Sequence, residues 1–511
     1  MTDTTAATLD KTPGWSRGAS AFLSLIALLI LADLLFWQSR PGISLAMIFA
    51  VAAIPAIWLR RGALGNRLLL TAIGVFGLSL LPLIEAASLT GFLCALLGIS
   101  FLALAASKRL PRAFEDLTGV LVRFGVLAPF RLIGDSFSLV VLGSGKGGGG
   151  RLVRAALTWV VPAAFALAFL LLLSQANPLI EAALGAFKVE GAAELLQPGR
   201  IALWMAVAVI AWPLLRPRLL PWPELRQVQG PMRPKRESLL FGRAAILRSL
   251  IVFNALFVVQ TVLDCVYLWG GVRLPDGLSY ADYAHRGAYP LIFTALLAGA
   301  FVLAATRKNG PAEASPLLRR LVYLWIGQNV LLVISSILRL DLYVQVYSLT
   351  ELRMAAGIWM GLVAVGLVLI LVKILIRRNN RWLVTSNLVA LGVTLWGCSF
   401  IDFSAMIAQF NIENSRELGG KGQPLDLYYL NDLGPSAIPA ITWYLDHAQG
   451  RPEAEMRDLD LLAGNMAVDF LNRPQDWRSW TFRDQRLRDW LYSNPRYASF
   501  GSGDRTGVTT P

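Results

Sequence analysis

The sequence predicts an all-α fold, a polytopic bundle of about eleven transmembrane helices with a small, mainly helical extracytoplasmic C-terminal domain. Two observations support this prediction. The 511-residue chain is 55% hydrophobic and only 16% charged, whereas soluble domains carry roughly 25% charged residues. Long apolar runs also recur over the first four hundred positions, and runs of roughly 18 residues or more are long enough to cross the hydrocarbon core of a bilayer. A soluble fold is therefore excluded.

The predicted spans follow these apolar runs in chain order. The polar lead before them, residues 1–19, is followed by no small-residue cleavage pattern, so we expect the first span to be retained rather than removed as a signal peptide. The spans are residues 20–37, 42–59, 67–85, 88–106, 152–174, 199–215, 249–270, 289–306, 321–338, 354–376 and 382–403.

Lysine and arginine are distributed unevenly between the alternating connections. With the N-terminus inside, the inner segments hold 29 of them and the outer loops hold 7. Because basic residues are retained on the cytoplasmic side, this asymmetry predicts a cytoplasmic N-terminus and an extracytoplasmic C-terminus in the bacterial inner membrane. The net charge of +14 thus reflects membrane orientation and attraction to anionic lipid head groups, and we expect no nucleic-acid partner.

Two long cytoplasmic connections divide the membrane part. Residues 107–151 mix apolar and basic residues at helical spacing, which favours a helix lying in the membrane interface. Residues 216–248 are basic and rich in proline, so we expect irregular structure there. This second connection separates a first group of six spans, residues 20–215, from a second group of five, residues 249–403.

The composition changes after the last span. Residues 404–500 carry many charges and contain the helical patches "PSAIPAITWYLDHAQ" and "DWRSWTFRDQRLRDWLYSNP". Pro435 and Pro452 stand where helices are expected to begin. We expect a small helical domain there, able to recruit an envelope protein partner, and a disordered end over residues 501–511.

Several motifs are interpreted as structural. "VVLGSGKGGGG", residues 140–150, lacks the first glycine and the hydroxyl residue of a phosphate-binding loop, which favours a glycine-rich linker. The three cysteines lie singly in apolar segments, so we expect neither a disulfide nor a metal site. Nothing in the sequence indicates a cofactor or a catalytic set.

Ionisable residues within spans are more informative, because charges buried in hydrocarbon require partners or a wet cavity. On the seventh span Gln260 and Asp264 share one helical face, and Arg339 flanks the ninth span on the same predicted outer side. Two interpretations stay open. One is a structural Asp264–Arg339 pair, and the other is a transport or catalytic site.

The segment "LSYADYAHRGAYP", residues 278–290, also falls outside under this topology. It contains Asp282, His285 and Arg286, and His285 is one of only two histidines. An imidazole could carry protons near neutral pH, whereas the alternative is an interfacial loop with tyrosines at head-group level. The candidate binding residues are Gln260, Asp264, Asp282, His285, Arg286, Arg339 and Asp341.

Part of the chain resembles known bacterial membrane families. The stretches "FNALFVVQTVLDCVYLWGGVRLPDGLSYADYAHRGAYPLIFTALLAGAFVL", "QNVLLVISSILRLDLYVQVYSLT" and "DWRSWTFRDQR" are similar to domain of unknown function 4173 and its relative 4153. This resemblance runs from about Arg243 to Arg486 and implies a bacterial envelope membrane protein without an established activity. The matching polar residues are Asp264, Tyr280, Tyr283, His285, Arg286, Arg339, Asp341, Asn411, Arg478 and Arg483.

Three functions remain open at this point. The first is a non-enzymatic transporter or ligand-binding protein with an outward polar pocket covered by the tail. The second is an envelope scaffold or sensor that acts through the tail. The third is a membrane enzyme on a lipid-linked substrate, with His285 or Asp282 as its base, which lacks a recognisable catalytic set.

Overall fold

A computed structural model describes most of the predicted spans and most of the C-terminal tail. Every regular element in the described ranges is helical, as the sequence predicts. The described residues are 14–58, 67–126, 197–217, 243–266, 315–420, 422–448 and 452–501.

The chain forms two compact units. The first comprises residues 1–111, 119–224 and 476–481. Its apolar core is built from the interlocked faces of five helices and includes Leu83, Ile99 and Trp212. The helices are α1 (Gly14–Phe36), α2 (Ile43–Trp58), α3 (Arg67–Glu85), α4 (Leu89–Ala106) and α5 (Pro198–Leu215).

The second unit comprises residues 112–118, 225–475 and 482–511. Its long helices are α6 (Arg243–Asp264), α7 (Pro316–Tyr347), α8 (Glu351–Leu375) and α9 (Asn380–Cys398). The shorter helices that follow are α10 (Phe403–Glu413), α11 (Leu427–Asp432), α12 (Ile438–His447), α13 (Glu453–Leu471), α14 (Phe482–Ser493) and α15 (Ala498–Gly501).

Side-chain caps explain where several of these helices begin. The Thr350 hydroxyl accepts a hydrogen bond from the Arg353 amide at 3.4 Å, and Asn379 Oδ1 accepts one from the Trp382 amide at 2.8 Å. Asp402 caps α10 in the same way, through the Ala405 amide at 3.1 Å. Such caps satisfy amides that have no acceptor within the first helical turn.

Six of these helices are long and apolar enough to cross a membrane, namely α3 to α8, and the pair α9–α10 makes a seventh if it counts as one span. The apolar part of α1 and the whole of α2 are shorter. Nine of the eleven predicted spans fall wholly or largely in the described ranges, and each overlaps a helix. The other two, residues 152–174 and 289–306, lie outside the described residues, so the count of eleven stays a prediction.

Two predicted span boundaries need correction. The ninth span was expected over 321–338, but α7 runs for 32 residues from Pro316 to Tyr347. The last span was expected to reach residue 403, but α9 ends at Cys398 and α10 leaves at an angle of 69°. The first boundary was misplaced because the polar residues there find partners within the helix and so do not end it. The second boundary was misplaced because Asp402 caps a new helix.

The cytoplasmic connection predicted over 107–151 is described as far as residue 126. A 3-10 turn at Phe114–Asp116 leads into helical residues 117–126. Phe124 is buried there, while Val122 and Val126 are exposed, which is typical of a helix that packs on one face only. The remainder of this connection and most of residues 216–248 lie outside the described residues.

The tail is helical where the sequence predicts it. Pro435 stands in the first turn of the 3-10 helix Gly434–Ala437, and Pro452 is the N-cap of α13. The core of the tail also includes Val344 and Leu349, which lie at the α7–α8 turn. The domain boundary expected at residue 404 is not tested by this packing and stays a prediction.

Candidate functional site

A buried ion pair joins α6 to α7. A guanidinium nitrogen of Arg339 bonds Asp264 Oδ1, and the two side chains are only 6% and 1% exposed. Gln260 Nε2 donates to the same carboxylate oxygen at 3.0 Å. The structure thus brings together three of the residues that the sequence singled out, on the helices where they were expected.

Aromatic side chains join the same two helices about 10–20 Å further along from this pair. On the same two helices Trp325 stacks on Phe253, with ring centroids 5.8 Å apart, and meets Phe257 edge-on at 6.2 Å. Within apolar membrane-spanning helices a carboxylate and a guanidinium are stable only as a pair, because each charge alone would lose its solvation without compensation.

A line of buried polar side chains extends from the pair along α7. At 100° per residue, these side chains and Trp325 fall within about a third of the helix circumference, on the face that α6 covers. From Gln328 to Arg339 the line is about 16 Å long. We call this line, with its partners on α6, the polar seam: Asn254, Asp264, Gln328, Asn329, Ser335, Ser336 and Arg339.

The amide side chains of the seam point to hydrogen-bond chemistry. The side-chain nitrogens of Asn254 and Asn329 each donate to the carbonyl one turn earlier, at 2.7 Å. Among the residues that the structure describes, their side-chain oxygens and that of Gln328 are buried without a hydrogen-bond partner. A buried acceptor without a donor is costly, so these three oxygens favour a ligand or water that supplies N–H or O–H groups.

The other predicted site residues are not part of this arrangement. Asp341 is exposed and accepts a hydrogen bond from Gln345 at 2.9 Å, two residues beyond Arg339 but on a different face. Asp282, His285 and Arg286 lie outside the described residues. Whether the histidine segment approaches the seam therefore stays a prediction.

Sequence reasoning missed a second ion pair, which is half-buried. Asp33 lies within the first predicted span, and its partner Arg200 lies near the start of the sixth. In the first unit Arg200 Nε donates to Asp33 Oδ1 at 2.6 Å, and the Trp204 indole nitrogen donates to the same oxygen at 3.0 Å. Arg200 stands at the edge of a predicted span, 167 positions away, so no local pattern signals the contact.

Lys373 was also missed. It is buried on α8, 3% exposed, and its ammonium group bonds the side chain of Asn380 at the start of α9. A lysine near the end of an apolar run is ordinarily interpreted as a residue that extends to the interface, which hides a buried role from sequence reasoning.

These features define the class of protein to which the chain belongs. Long apolar helices with charges paired in their interiors make this chain an integral membrane protein. It belongs to the family described as "Domain of unknown function (DUF4153)", whose profile matches residues 70–443, well over half of the chain. Searches of curated proteins and of solved structures found no match.

The family match differs from the resemblance drawn from the residues. It begins within α3, far before Arg243, and therefore includes most of the first group of spans but neither of the first two. It ends at residue 443 and leaves out "DWRSWTFRDQR". The resemblance to the 4173 family stays a prediction, and membership of the matched family carries no activity with it.

Proposed function

We propose that the protein binds a small polar ligand at the polar seam, as a non-enzymatic transporter or ligand-binding protein of the bacterial cytoplasmic membrane. The observation that carries this proposal is the buried Asp264–Arg339 pair at one end of a seam whose amide oxygens, about 15 Å further along the helices, have no partner among the described residues. Together they offer a carboxylate, a guanidinium and neutral acceptors within apolar helices. Such a set fits a ligand with both hydrogen-bond donors and an ionised group.

The proposed orientation follows from the charge asymmetry. With the N-terminus in the cytoplasm, Asp264 and Arg339 lie towards the outer ends of their spans, and the seam would open outwards. The segment with Asp282, His285 and Arg286 would lie on the same side, under the tail. Basic connections on the inner side would contact anionic lipid head groups.

Exchanging the two charges separates a binding role from a structural one. Asp264→Asn or Arg339→Gln alone leaves one buried charge, and we expect each to lower the free energy of unfolding by about 3–5 kcal/mol. The combined Asp264→Arg and Arg339→Asp variant retains a pair and should recover membrane abundance. If the seam binds a ligand, the recovered protein should still fail to complement the phenotype of a deletion strain.

The control is an ion pair at the surface of the second unit. Arg381 bonds Asp116 at 2.9 Å, and its side chain is 76% exposed, so Arg381→Gln should change stability by at most about 1 kcal/mol and should complement fully. Full complementation by the charge-exchanged variant would contradict the binding role and leave the pair purely structural.

A second candidate function is an envelope scaffold or sensor that works through the tail. The observation that favours it is exposed aromatic surface there, since Tyr428 is 76% and Trp477 is 59% exposed. Because the tail shares its core with Val344 and Leu349, deleting it would damage the membrane part as well. Tyr428→Ser is a cleaner test, and loss of complementation at normal abundance would favour this function.

A third hypothesis, an enzyme acting on a lipid-linked substrate, depends on His285 or Asp282, which lie outside the described residues. Among the described ones, no cluster with three or more metal-binding side chains occurs.

A further inference from the structure

An apolar groove runs between α1, α2, α4 and α5 in the first unit. Its volume is about 350 Å³, within the range of roughly 300–1,000 Å³ that is usual for small-molecule sites. Phe49 and Phe92 form part of its wall, their rings 5.5 Å apart and edge-to-face. Of the lining residues in the described part of the chain, only Ser39 has a polar side chain.

The length of the groove matches half of a bilayer. Along α5 its lining extends from Leu203 to Leu214, which corresponds to about 16 Å of helix. The hydrocarbon core is roughly 30 Å thick, so one leaflet accounts for about 15 Å. A groove of this length, apolar except for Ser39, has the dimensions of one acyl chain in one leaflet.

The mouth of the groove carries the residues that mark the level of lipid head groups. Ser39 and Pro41 line it, and Arg40 between them is exposed. In the described part of the first unit Arg40 has no acidic partner within ion-pair distance. Nearby, the Arg200 guanidinium lies 5.2 Å from the ring centre of Trp37 and 5.7 Å from that of Trp204, and tryptophans concentrate at the membrane interface.

We infer that the groove binds one phospholipid, with an acyl chain along α5 and the phosphate beside Arg40. Charge complementarity selects this occupant, because the phosphate is an anion and Arg40 is an exposed cation at the open end. The apolar lining binds the acyl chain, since burial of each methylene is favourable. This site lies in a different unit from the polar seam and does not depend on the function proposed for the seam.

Photolabelling of the full-length protein tests this site. The protein is reconstituted in nanodiscs with a small mole fraction of a phospholipid that carries a diazirine on its acyl chain, and the labelled peptides are mapped by mass spectrometry. Ala206 lines the groove and is exposed, so Ala206→Trp should fill it without disturbing the core. Labelling of α5 should fall at least tenfold, because each excluded methylene changes affinity by roughly fourfold.

The matched control is Ala202→Trp, which places the same side chain on an exposed position of the same helix, outside the groove lining. It should retain the labelling of the unmodified protein. Equal labelling in Ala202→Trp and Ala206→Trp would mean that the probe reports only bulk lipid, and would overturn the inference.

Arg40→Gln tests the head-group contact without altering any packing. If Ala206→Trp fails to accumulate, Arg40→Gln still tests the inference. We expect roughly tenfold more unlabelled phospholipid to be needed for competition, as is usual when a charge-assisted contact is lost. Arg109→Gln changes another exposed arginine of the first unit, and in this variant unlabelled phospholipid should compete as it does in the unmodified protein. Competition by a free fatty acid as effective as that by the phospholipid would contradict this assignment.

Discussion

At the scale of single residues, Gly98 shows how closely α3 and α4 approach one another. A Cβ atom at Gly98 would lie 2.6 Å from the Ser79 Cβ and 2.0 Å from its hydroxyl oxygen. Ser79 is buried, and its hydroxyl donates to the Phe76 carbonyl at 2.7 Å. Small residues at helix contacts allow this approach in membranes, where dispersion and hydrogen bonding replace the hydrophobic effect.

We therefore predict that Gly98→Ala destabilises the protein. Overpacking a contact of this kind costs about 1–3 kcal/mol, measurable as a lower free energy of unfolding in detergent. Because the clash involves the Ser79 Cβ, adding Ser79→Gly should restore most of the loss, whereas Ser79→Ala should not. Gly74→Ala is the control, since among the described residues no atom beyond the adjoining backbone of its own helix and its two chain neighbours lies within 4 Å of its added methyl group, and it should be nearly neutral. Equal effects of Gly98→Ala and Gly74→Ala would refute the close contact.

The candidate site could be predicted only in part at this scale. Asp264 and Arg339 were paired from the sequence because each is an unusual residue in an apolar segment near the same predicted membrane side. Asn329 and Ser336 were not singled out, although helical spacing places them on the face of Gln328 and Arg339. Asn329 and Ser336 are small or neutral, so their burial is decided by the neighbouring helix rather than by their own chemistry.

At the scale of elements, residues 476–481 form a strap on the α1–α2 turn within the first unit. Asp476 Oδ2 accepts a hydrogen bond from the Ser39 hydroxyl at 2.8 Å. The Ile43 amide donates to the Trp480 carbonyl at 2.8 Å, and Arg478 Nη1 donates to the Leu34 carbonyl at the same distance. The strap thus binds the first two helices through hydrogen bonds within the first unit.

Strap binding should depend on pH. The Arg478 amide, the Ser39 hydroxyl and the Arg478 guanidinium hold the pKa of Asp476 below its ordinary value. For a lowered pKa, the stabilisation is complete above the usual carboxyl pKa of about 3.9 and is lost as the pH falls through the lower folded value. A nitroxide attached at Trp477→Cys, with the native cysteines replaced, should be immobile at pH 7 and become mobile only below about pH 4.

Asp476→Asn should make this label mobile at every pH, because the carboxylate acceptors are lost. Asp458→Asn removes an exposed carboxylate of α13 and serves as the control, with an unchanged pH profile. A label that stays immobile in Asp476→Asn at pH 7 would show that the carboxylate does not hold the strap.

The elements themselves could be predicted well, and their ends poorly. Apolar runs identified every described helix from α1 to α9 because a span needs a minimum length of apolar residues. They misplaced the end of α7, since Asp341 continues the helix with Gln345 as its partner. They also missed the break after Cys398, where the apolar composition continues but Asp402 starts a new helix.

At the scale of the whole molecule, the contacts within each unit join segments that the charge asymmetry predicts to lie on the same side. In the first unit the strap and Arg200 bind near the end of α1, which is predicted to lie outside. In the second unit the tail packs on Leu349 at the α7–α8 turn, also predicted outside. Glu115, predicted inside, accepts a hydrogen bond from Asn379 at 2.5 Å, beside the predicted inner end of α9.

Fusions to alkaline phosphatase test this orientation directly. The enzyme needs disulfides that form outside the cytoplasm, so a fusion after Pro511 should be active and one at Gly230, in the basic connection, should be inactive. Fusions to a cytoplasmic fluorescent protein should give the opposite pattern and control for expression.

The contacts described above join helix ends that are predicted to lie on the same side of the membrane, so they do not determine which side is outside. The reverse pattern would therefore preserve every contact described above while placing Asp264, Arg339 and the tail in the cytoplasm. Activity at both sites would instead indicate that the number of spans between them is even, and would remove the alternation on which the predicted eleven spans rest.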